Sequence, residues 1–296
     1  MAKKYLKQLG GYLCYFFRPW IMLDGFIKYK NGKAIHNNLG DDINIPLIEA
    51  ITGKKVIHIS QSKLWRIPRL LCIGSIIENF ISEKSIIWGS GCIYGDKSIK
   101  AKPKKVCAVR GELSRQVLLK QGISCPKIYG DPALLLPYIY TPHTQKKYKY
   151  GYIPHVDDYD LPQVKEFREK HPEMLFIKFR NYNSWQDVIE QINSCENIIS
   201  SSLHGLIISD AYGIPNVRVI FSDQIIGGDF KYKDYFSGVG RRNIDPIDCR
   251  EEICHNNIIQ ELKTYKPITY NPIDLLKAFP YKLLPKFQKL VDTGHL

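Results

Sequence analysis

Short apolar runs punctuate the first half of the chain: Val56-Ile57-His58-Ile59, Leu70-Leu71-Cys72-Ile73, Ile86-Ile87-Trp88 and Val106-Cys107-Ala108-Val109, each bounded by glycine, proline or charge. They show no apolar-polar alternation. A strand covered on both faces loses the period of two, so these runs read as buried parallel strands. Helices fit between some of them. Asp42 to Ile51 sets Ile43, Ile45, Leu47, Ile48 and Ile51 around one apolar face, and Leu113 to Lys120 makes a second helix.

After Gly130-Asp131-Pro132-Ala133 and the run Leu134 to Pro137, the composition turns polar and Tyr-rich from Thr141 to Lys147, as in a linker. Alternation then resumes, with strands expected at 150–153, 175–179, 197–200 and 216–221 and helices at 161–170, 185–194 and 204–212. The length of 296 residues suits two domains. The pattern predicts an α/β protein with two Rossmann-like domains, 1–140 and 141–296, the second carrying the C-terminal helices. Loops at the carboxyl ends of the strands would line a cleft between them.

Apolar residues at 44% and charged residues at 24% are the mix of a packed globular protein. A net charge of +13 favours anionic partners: a small phosphate-bearing substrate, a membrane surface or nucleic acid. Nucleic acid is disfavoured, because the basic residues are spread along the chain and no zinc-knuckle or RNP-like motif occurs. The eight cysteines include no C-x-x-C pair and several sit in apolar runs, as buried thiols do in a reducing compartment. A cytoplasmic location follows. Cys249, Cys254 and His255 lack a second ligand pair at suitable spacing, so no metal site is expected.

The stretch Tyr12 to Leu23 is too short to span a bilayer and is interrupted by Arg18 and Pro19, without a signal-peptide cleavage site. Lys3, Lys4, Lys7 and Arg18 around Tyr12, Tyr15, Phe16, Phe17 and Trp20 suit a peripheral membrane contact. Packing as a first helix and strand of the domain is the alternative.

The sharpest constellation is Ser200-Ser201-Ser202-Leu203-His204-Gly205, where a buried strand gives way to a helix. Free N–H groups at a helix start attract anions, serine hydroxyls add donors, and an imidazole supplies a proton. Serines that cap the helix and a histidine satisfied in the core are the alternative. Asn37-Asn38-Leu39-Gly40-Asp41 heads the helix 42–51, with Asp41 as a candidate cap and Gly40 as a turn residue. Gly89-Ser90-Gly91 and Arg110-Gly111 follow strands, and an arginine leaving a buried strand needs an anionic partner. His155 ends the first strand after the linker. Lys231 and Asp234 follow Gly227-Gly228 in what reads as a mobile loop, with surface charge as the bland alternative.

Taken together these motifs resemble the polysaccharide pyruvyl transferase family. The matching pieces are Asn38-Leu39-Gly40-Asp41-Asp42, Trp88-Gly89-Ser90-Gly91, Val109-Arg110-Gly111-Glu112, Gly130-Asp131-Pro132-Ala133, Ser201-Ser202-Leu203-His204-Gly205 and Phe230-Lys231-Tyr232-Lys233-Asp234-Tyr235, in family order. The resemblance implies a GT-B-like fold, phosphoenolpyruvate as donor substrate and a hexose hydroxyl pair as acceptor. The product would be a cyclic pyruvate ketal on a surface polysaccharide, built on a lipid-linked glycan at the inner face of the membrane. No cofactor or metal is implied.

Carried over, His204 and Arg110 become the catalytic pair. Asn37, Asn38, Gly40, Asp41, Ser90, Gly91, His155, Ser201, Ser202, Leu203 and Lys231 become substrate-binding residues. Some members carry an arginine where this chain has Ser202, and Lys231 or Arg218 would supply the missing cation. A GT-B nucleotide-sugar glycosyltransferase is the rival reading, weakened because no glutamate lies between Glu196 and Glu251 to form the E-x7-E pair of many retaining enzymes.

Overall fold

The computed structural model describes residues 20–30, 33–62, 66–241, 245–251 and 255–294. The chain forms two five-stranded sheets, parallel throughout, and one small antiparallel ribbon. The first sheet has the order β4-β1-β5-β6-β7, built from β1 (Trp20–Leu23), β4 (Lys55–His58), β5 (Arg69–Leu71), β6 (Ser85–Trp88) and β7 (Lys105–Ala108). The ribbon pairs β2 (Tyr29–Lys30) with β3 (Lys33–Ala34). The second sheet has the order β12-β11-β10-β8-β9, from β8 (Tyr148–Ile153), β9 (Leu175–Phe176), β10 (Cys195–Ser200), β11 (Asn216–Ile220) and β12 (Ile247–Asp248). Two parallel sheets of this kind are consistent with two Rossmann-like domains.

The apolar runs became strands for the reason the pattern implies. Leu70, Leu71, Ile87 and Trp88 are fully buried, since helices and loops cover both faces of the first sheet. Trp20–Leu23 is an interior strand, paired with β4 on one side and β5 on the other, with Ile21, Met22 and Leu23 buried. This end of the stretch read as a membrane contact is therefore part of the core. Lys3, Lys4, Lys7, Tyr12, Tyr15, Phe16, Phe17 and Arg18 lie outside the described residues. Among the described residues no helix is long and apolar enough to cross a membrane.

The helices are α1 (Leu39–Asp42), α2 (Asn44–Thr52), α3 (Ile77–Phe80), α4 (Glu112–Lys120), α5 (Pro162–Lys170), α6 (Trp185–Asn193), α7 (Leu203–Ala211), α8 (Phe230–Val239), α9 (His255–Lys263), α10 (Ile273–Lys277) and α11 (Pro285–Thr293). The helix expected from Asp42 starts earlier and is broken in two at Ile43. Asn38, not Asp41, is its cap: the Asn38 side chain accepts from Gly40 N at 3.2 Å. The strand expected at 175–179 stops at Phe176, because the chain leaves the sheet to meet the other domain. There Leu39 N donates to Phe179 O at 2.8 Å and Asn181 N to His36 O at 2.7 Å.

The C-terminal helices, counted by sequence with the second domain, pack on the first. Trp88 Nε1 donates to Leu275 O at 2.8 Å, Phe279 packs edge-on against Trp88, and Leu284 N donates to Ile51 O at 2.9 Å. One apolar cluster runs from Ile21 and Trp88 through Leu134 to Leu206, Ile208 and Phe287. The core is thus continuous between the two sheets.

Candidate active site

Arg110 leaves the end of β7 and is completely buried. A guanidinium in that position requires an anion and hydrogen-bond acceptors, and the chain supplies them. Its Nε donates to Asp234 Oδ2 at 3.0 Å, Nη2 to Cys92 O at 2.8 Å, and Nη1 to Ser75 Oγ. Asp234, on α8, is itself saturated by Ser114 N at 2.7 Å and Ser114 Oγ at 2.6 Å. Gly91 lies under the guanidinium, where a Cβ would stand 2.4 Å from Arg110 Cζ. Ser90 is buried too: its backbone oxygen accepts from Arg110 N, and its hydroxyl leans on Leu71 O at 3.4 Å. The anionic partner that the sequence demanded for Arg110 is therefore Asp234, in the other domain.

Ser200, Ser201 and Ser202 end β10 and play three different parts. Ser200 Oγ donates to Ile153 O at 2.8 Å and accepts from Ser202 N at 3.0 Å. Ser201 Oγ donates to Asp158 Oδ2 at 2.7 Å and accepts from His155 N at 2.8 Å. Two of the hydroxyls are thereby spent on joining the ends of β8 and β10. Ser202 occupies the cap position of α7 without a side-chain cap bond. Capping by serine thus does not account for the motif, and the N–H groups of Leu203, His204 and Gly205 start a nine-residue helix facing the domain boundary.

His204 sits in the first turn of α7, its side chain 11% exposed. Its imidazole packs over Gly40, where an added Cβ would fall 2.0 Å from Nδ1. Gly40 is needed here for clearance and not for a left-handed turn. On the opposite edge, Nε2 lies 3.8 Å from Asp131 Oδ2. Burial, then the charges of Arg110, Lys231 and His155, hold the imidazole down at about 3. His204 is accordingly a neutral imidazole in the ligand-free protein.

Lys231 was read as belonging to a mobile loop or as surface charge. It lies instead in the first turn of α8 and is only 8% exposed. Its ammonium has neither a carboxylate nor a hydrogen-bond acceptor as partner among the described residues, and it lies 5.4 Å from the centre of the Tyr232 ring. Burial first and Arg110 second lower it to about 8. Arg218, the other candidate cation, is paired with Asp229 and stacked 3.8 Å over Tyr232. Among the two, Lys231 is the cation left for a ligand.

His155 follows β8, with Nδ1 3.3 Å from Asp157 Oδ2, and burial and Lys231 lower it to about 4. Asp41 is pushed up to about 7 by burial and by Asp42, with Lys231 pulling the other way. The structure thus brings His204, Lys231, His155, Gly40, Asp41, Ser202 and Leu203 into one electrostatic neighbourhood. Asn38 serves as a cap, Asn37 is exposed, and Ser90 stands behind Arg110. No group of His, Cys, Asp or Glu among the described residues is placed to hold a metal ion.

Three supporting residues went unselected in the sequence. Asp131 faces His204, Asp158 anchors Ser201 and Ser222, and Tyr232 donates its hydroxyl to Ser201 O at 2.5 Å. In the sequence Asp131 stands inside the family-matching piece Gly130-Asp131-Pro132-Ala133 and Tyr232 inside Phe230 to Tyr235, neither with a role of its own.

The fold and this candidate site define an α/β protein in which a helix start, a buried lysine and a histidine meet between two parallel sheets. The model of the polysaccharide pyruvyl transferase family matches residues 38–222, and the chain belongs to that family. It is 26% identical over 235 residues to the succinoglycan biosynthesis protein ExoV of Rhizobium meliloti (strain 1021), covering 74% of this chain and 68% of that one. It is also 28% identical over 208 residues to an uncharacterized protein of Acanthamoeba polyphaga mimivirus, covering 69% of this chain and 71% of that one.

Proposed function

We propose that this transferase moves pyruvate from phosphoenolpyruvate to two neighbouring hydroxyls of a hexose, closing a cyclic ketal on a glycan of a surface polysaccharide. The observation that carries the reading is Lys231, a buried cation without a partner among the described residues, beside a helix start whose N–H groups have none there either. Burying an unpaired ammonium costs stability and is retained where an anion completes it. A donor with both phosphate and carboxylate offers that anion twice.

In this reading a proton is added to C3 of the enol, leaving an oxocarbenium-like C2. One acceptor hydroxyl bonds to C2, the C2–O bond to phosphate breaks, and the second hydroxyl closes the ring. The two hydroxyl protons are balanced by one proton on C3 and one on the released phosphate. Neutral His204 takes a hydroxyl proton as its oxygen attacks, while Lys231 and the N–H groups of Leu203 to Gly205 hold the departing charge. Arg110, already paired with Asp234, contributes field and rigidity. This chemistry needs no cofactor. The two sheets would face each other in the GT-B manner, and the acceptor would be a lipid-linked glycan met at the membrane surface.

Phosphate release from phosphoenolpyruvate over a panel of hexose glycosides tests the proposal. Acceptor-dependent release that disappears in His204→Ala supports it. If phosphoenolpyruvate neither releases phosphate nor raises the melting temperature, while a nucleotide sugar does raise it, the donor is a different one.

A further inference from the structure

Asp131 holds a position the proposed chemistry has not yet used. Its Oδ1 accepts from Ala133 N at 2.9 Å and so caps the 3-10 turn Pro132–Tyr138. Its Oδ2 is sealed from solvent and has no hydrogen-bond partner among the described residues. His204 Nε2 is in the same condition, and the two atoms are 3.8 Å apart. An unsatisfied buried polar atom is rare in a folded protein, because leaving it unpaired is costly. Here two of them face each other across a gap about 1 Å longer than a hydrogen bond, which a small rotation of the ring closes.

The surroundings restrict what else either atom can do. Gly40 packs against the imidazole at Nδ1, and its missing side chain makes the room that the ring occupies. Asp131 is completely buried, with Arg110 and Asp234 as the charges that act on it. Arg110, Lys231 and His155 act on the ring. All three are cations or become so, and the imidazolium formed when Nδ1 takes a proton needs a negative group to face.

We propose that Asp131 is a positioning residue for His204: by accepting the Nε2 proton it fixes the tautomer in which Nδ1 is unprotonated and turned to the substrate. The inference rests on the reading of His204 as the residue that receives a hydroxyl proton. In that step the acceptor oxygen bonds to C2 and its proton goes to Nδ1. The Nε2 proton stays on the ring against the Asp131 carboxylate, and the Nδ1 proton then passes to the departing phosphate.

Asp131→Asn tests this directly. The amide oxygen keeps the bond to Ala133 N, and the amide nitrogen replaces Oδ2, so that it donates to Nε2 and forces the proton onto Nδ1. Histidine labelled with nitrogen-15 reports the tautomer through long-range proton–nitrogen correlations, His204→Gln identifying the signal. At about pH 8 the wild-type protein is expected to show the Nε2–H form and Asp131→Asn the Nδ1–H form. The turnover number for phosphate release should fall about 10²–10⁴-fold, as expected for a wrong tautomer, with KM for phosphoenolpyruvate changed less than about threefold. An Nδ1–H tautomer in the wild-type protein, an unchanged tautomer in the variant, or turnover within about twofold of wild type overturns the assignment. A wild-type protein that releases no phosphate from phosphoenolpyruvate overturns the donor reading instead. The tautomer spectra, which need no turnover, still decide the role of Asp131.

Discussion

Arg110 and Asp234 form an ion pair across the domain boundary, Nη2 to Oδ2 at 2.9 Å, with both side chains completely buried. Neither charge touches solvent, so each depends on the other. Removing one partner leaves an uncompensated buried charge, at a cost of about 3–5 kcal/mol. Asp234→Ala and Arg110→Ala should each lower stability by that amount in urea unfolding. The double variant Arg110→Met with Asp234→Leu should lose less than either single one. If the single variants unfold at the wild-type midpoint, the pair does not hold the domains.

Lys231 should show the opposite signs for stability and function. Its lowered value of about 8 means that burial disfavours the charged form, a penalty fully present below that pH and absent above the ordinary lysine range. Lys231→Met removes it and should stabilise the protein at neutral pH by about 3 kcal/mol, the size implied by that shift. The same variant should lose about 100-fold or more in kcat/KM for phosphoenolpyruvate. A stabilised, fully active Lys231→Met would remove the lysine from the donor site.

The pH dependence follows from the same residue. If Lys231 holds the donor as proposed, its ammonium is the binding form, and kcat/KM, which reports the free protein, should fall as pH rises through about 8. Lys231→Arg, charged at every accessible pH, should flatten that limb. A decline that begins only above pH 10 would assign it to another group.

Gly40 faces a steric test. A methyl group there would stand 2.0 Å from His204 Nδ1, so Gly40→Ala must push the imidazole off its seat. Overpacking of this kind costs about 1–3 kcal/mol. Phosphate release should fall about 10–100-fold, since small misplacements of a reacting group are expensive. Retention of full activity would show that the ring does not work from this position.

Asp41 is raised to about 7, first by burial and then by Asp42. A carboxyl raised in the folded state favours folding below its unfolded value, near 4, and that contribution is lost as pH rises through about 7. Asp41→Asn should therefore raise the melting temperature at pH 8 by more than at pH 5, with about 2–3 kcal/mol separating the two. Equal shifts at both pH values would mean that Asp41 is not held neutral by its surroundings.

Much of this molecule could be read from the chain. Apolar runs such as Ile86-Ile87-Trp88 dictate buried parallel strands, because only a sheet covered on both faces accommodates continuous apolar sequence. The strand-to-helix turn at Ser200 to Gly205 was equally legible, since hydroxyls before an apolar helix are a local signal. Local pattern also marked Arg110 as a charged group leaving a buried strand, whereas Lys231 gave no sign of its burial.

What the sequence could not settle was who answers whom. Lys231 and Asp234 are one turn apart on α8, with similar local context, yet Asp234 is spent on Arg110, 124 positions away, while Lys231 is left open. The same holds for Ser201, tied to Asp158, against Ser202, whose hydroxyl caps nothing. The meeting of Asp131 with His204 is decided by the docking of α7 on the turn after Asp131, where Leu206 and Ile207 share one apolar cluster with Ala133 to Leu136. Hydrogen bonds and ion pairs between distant segments carry no periodicity along the chain. The sequence therefore determines the sheets and the kinds of groups at their ends, and tertiary packing alone decides which of those groups are satisfied and which remain for a ligand.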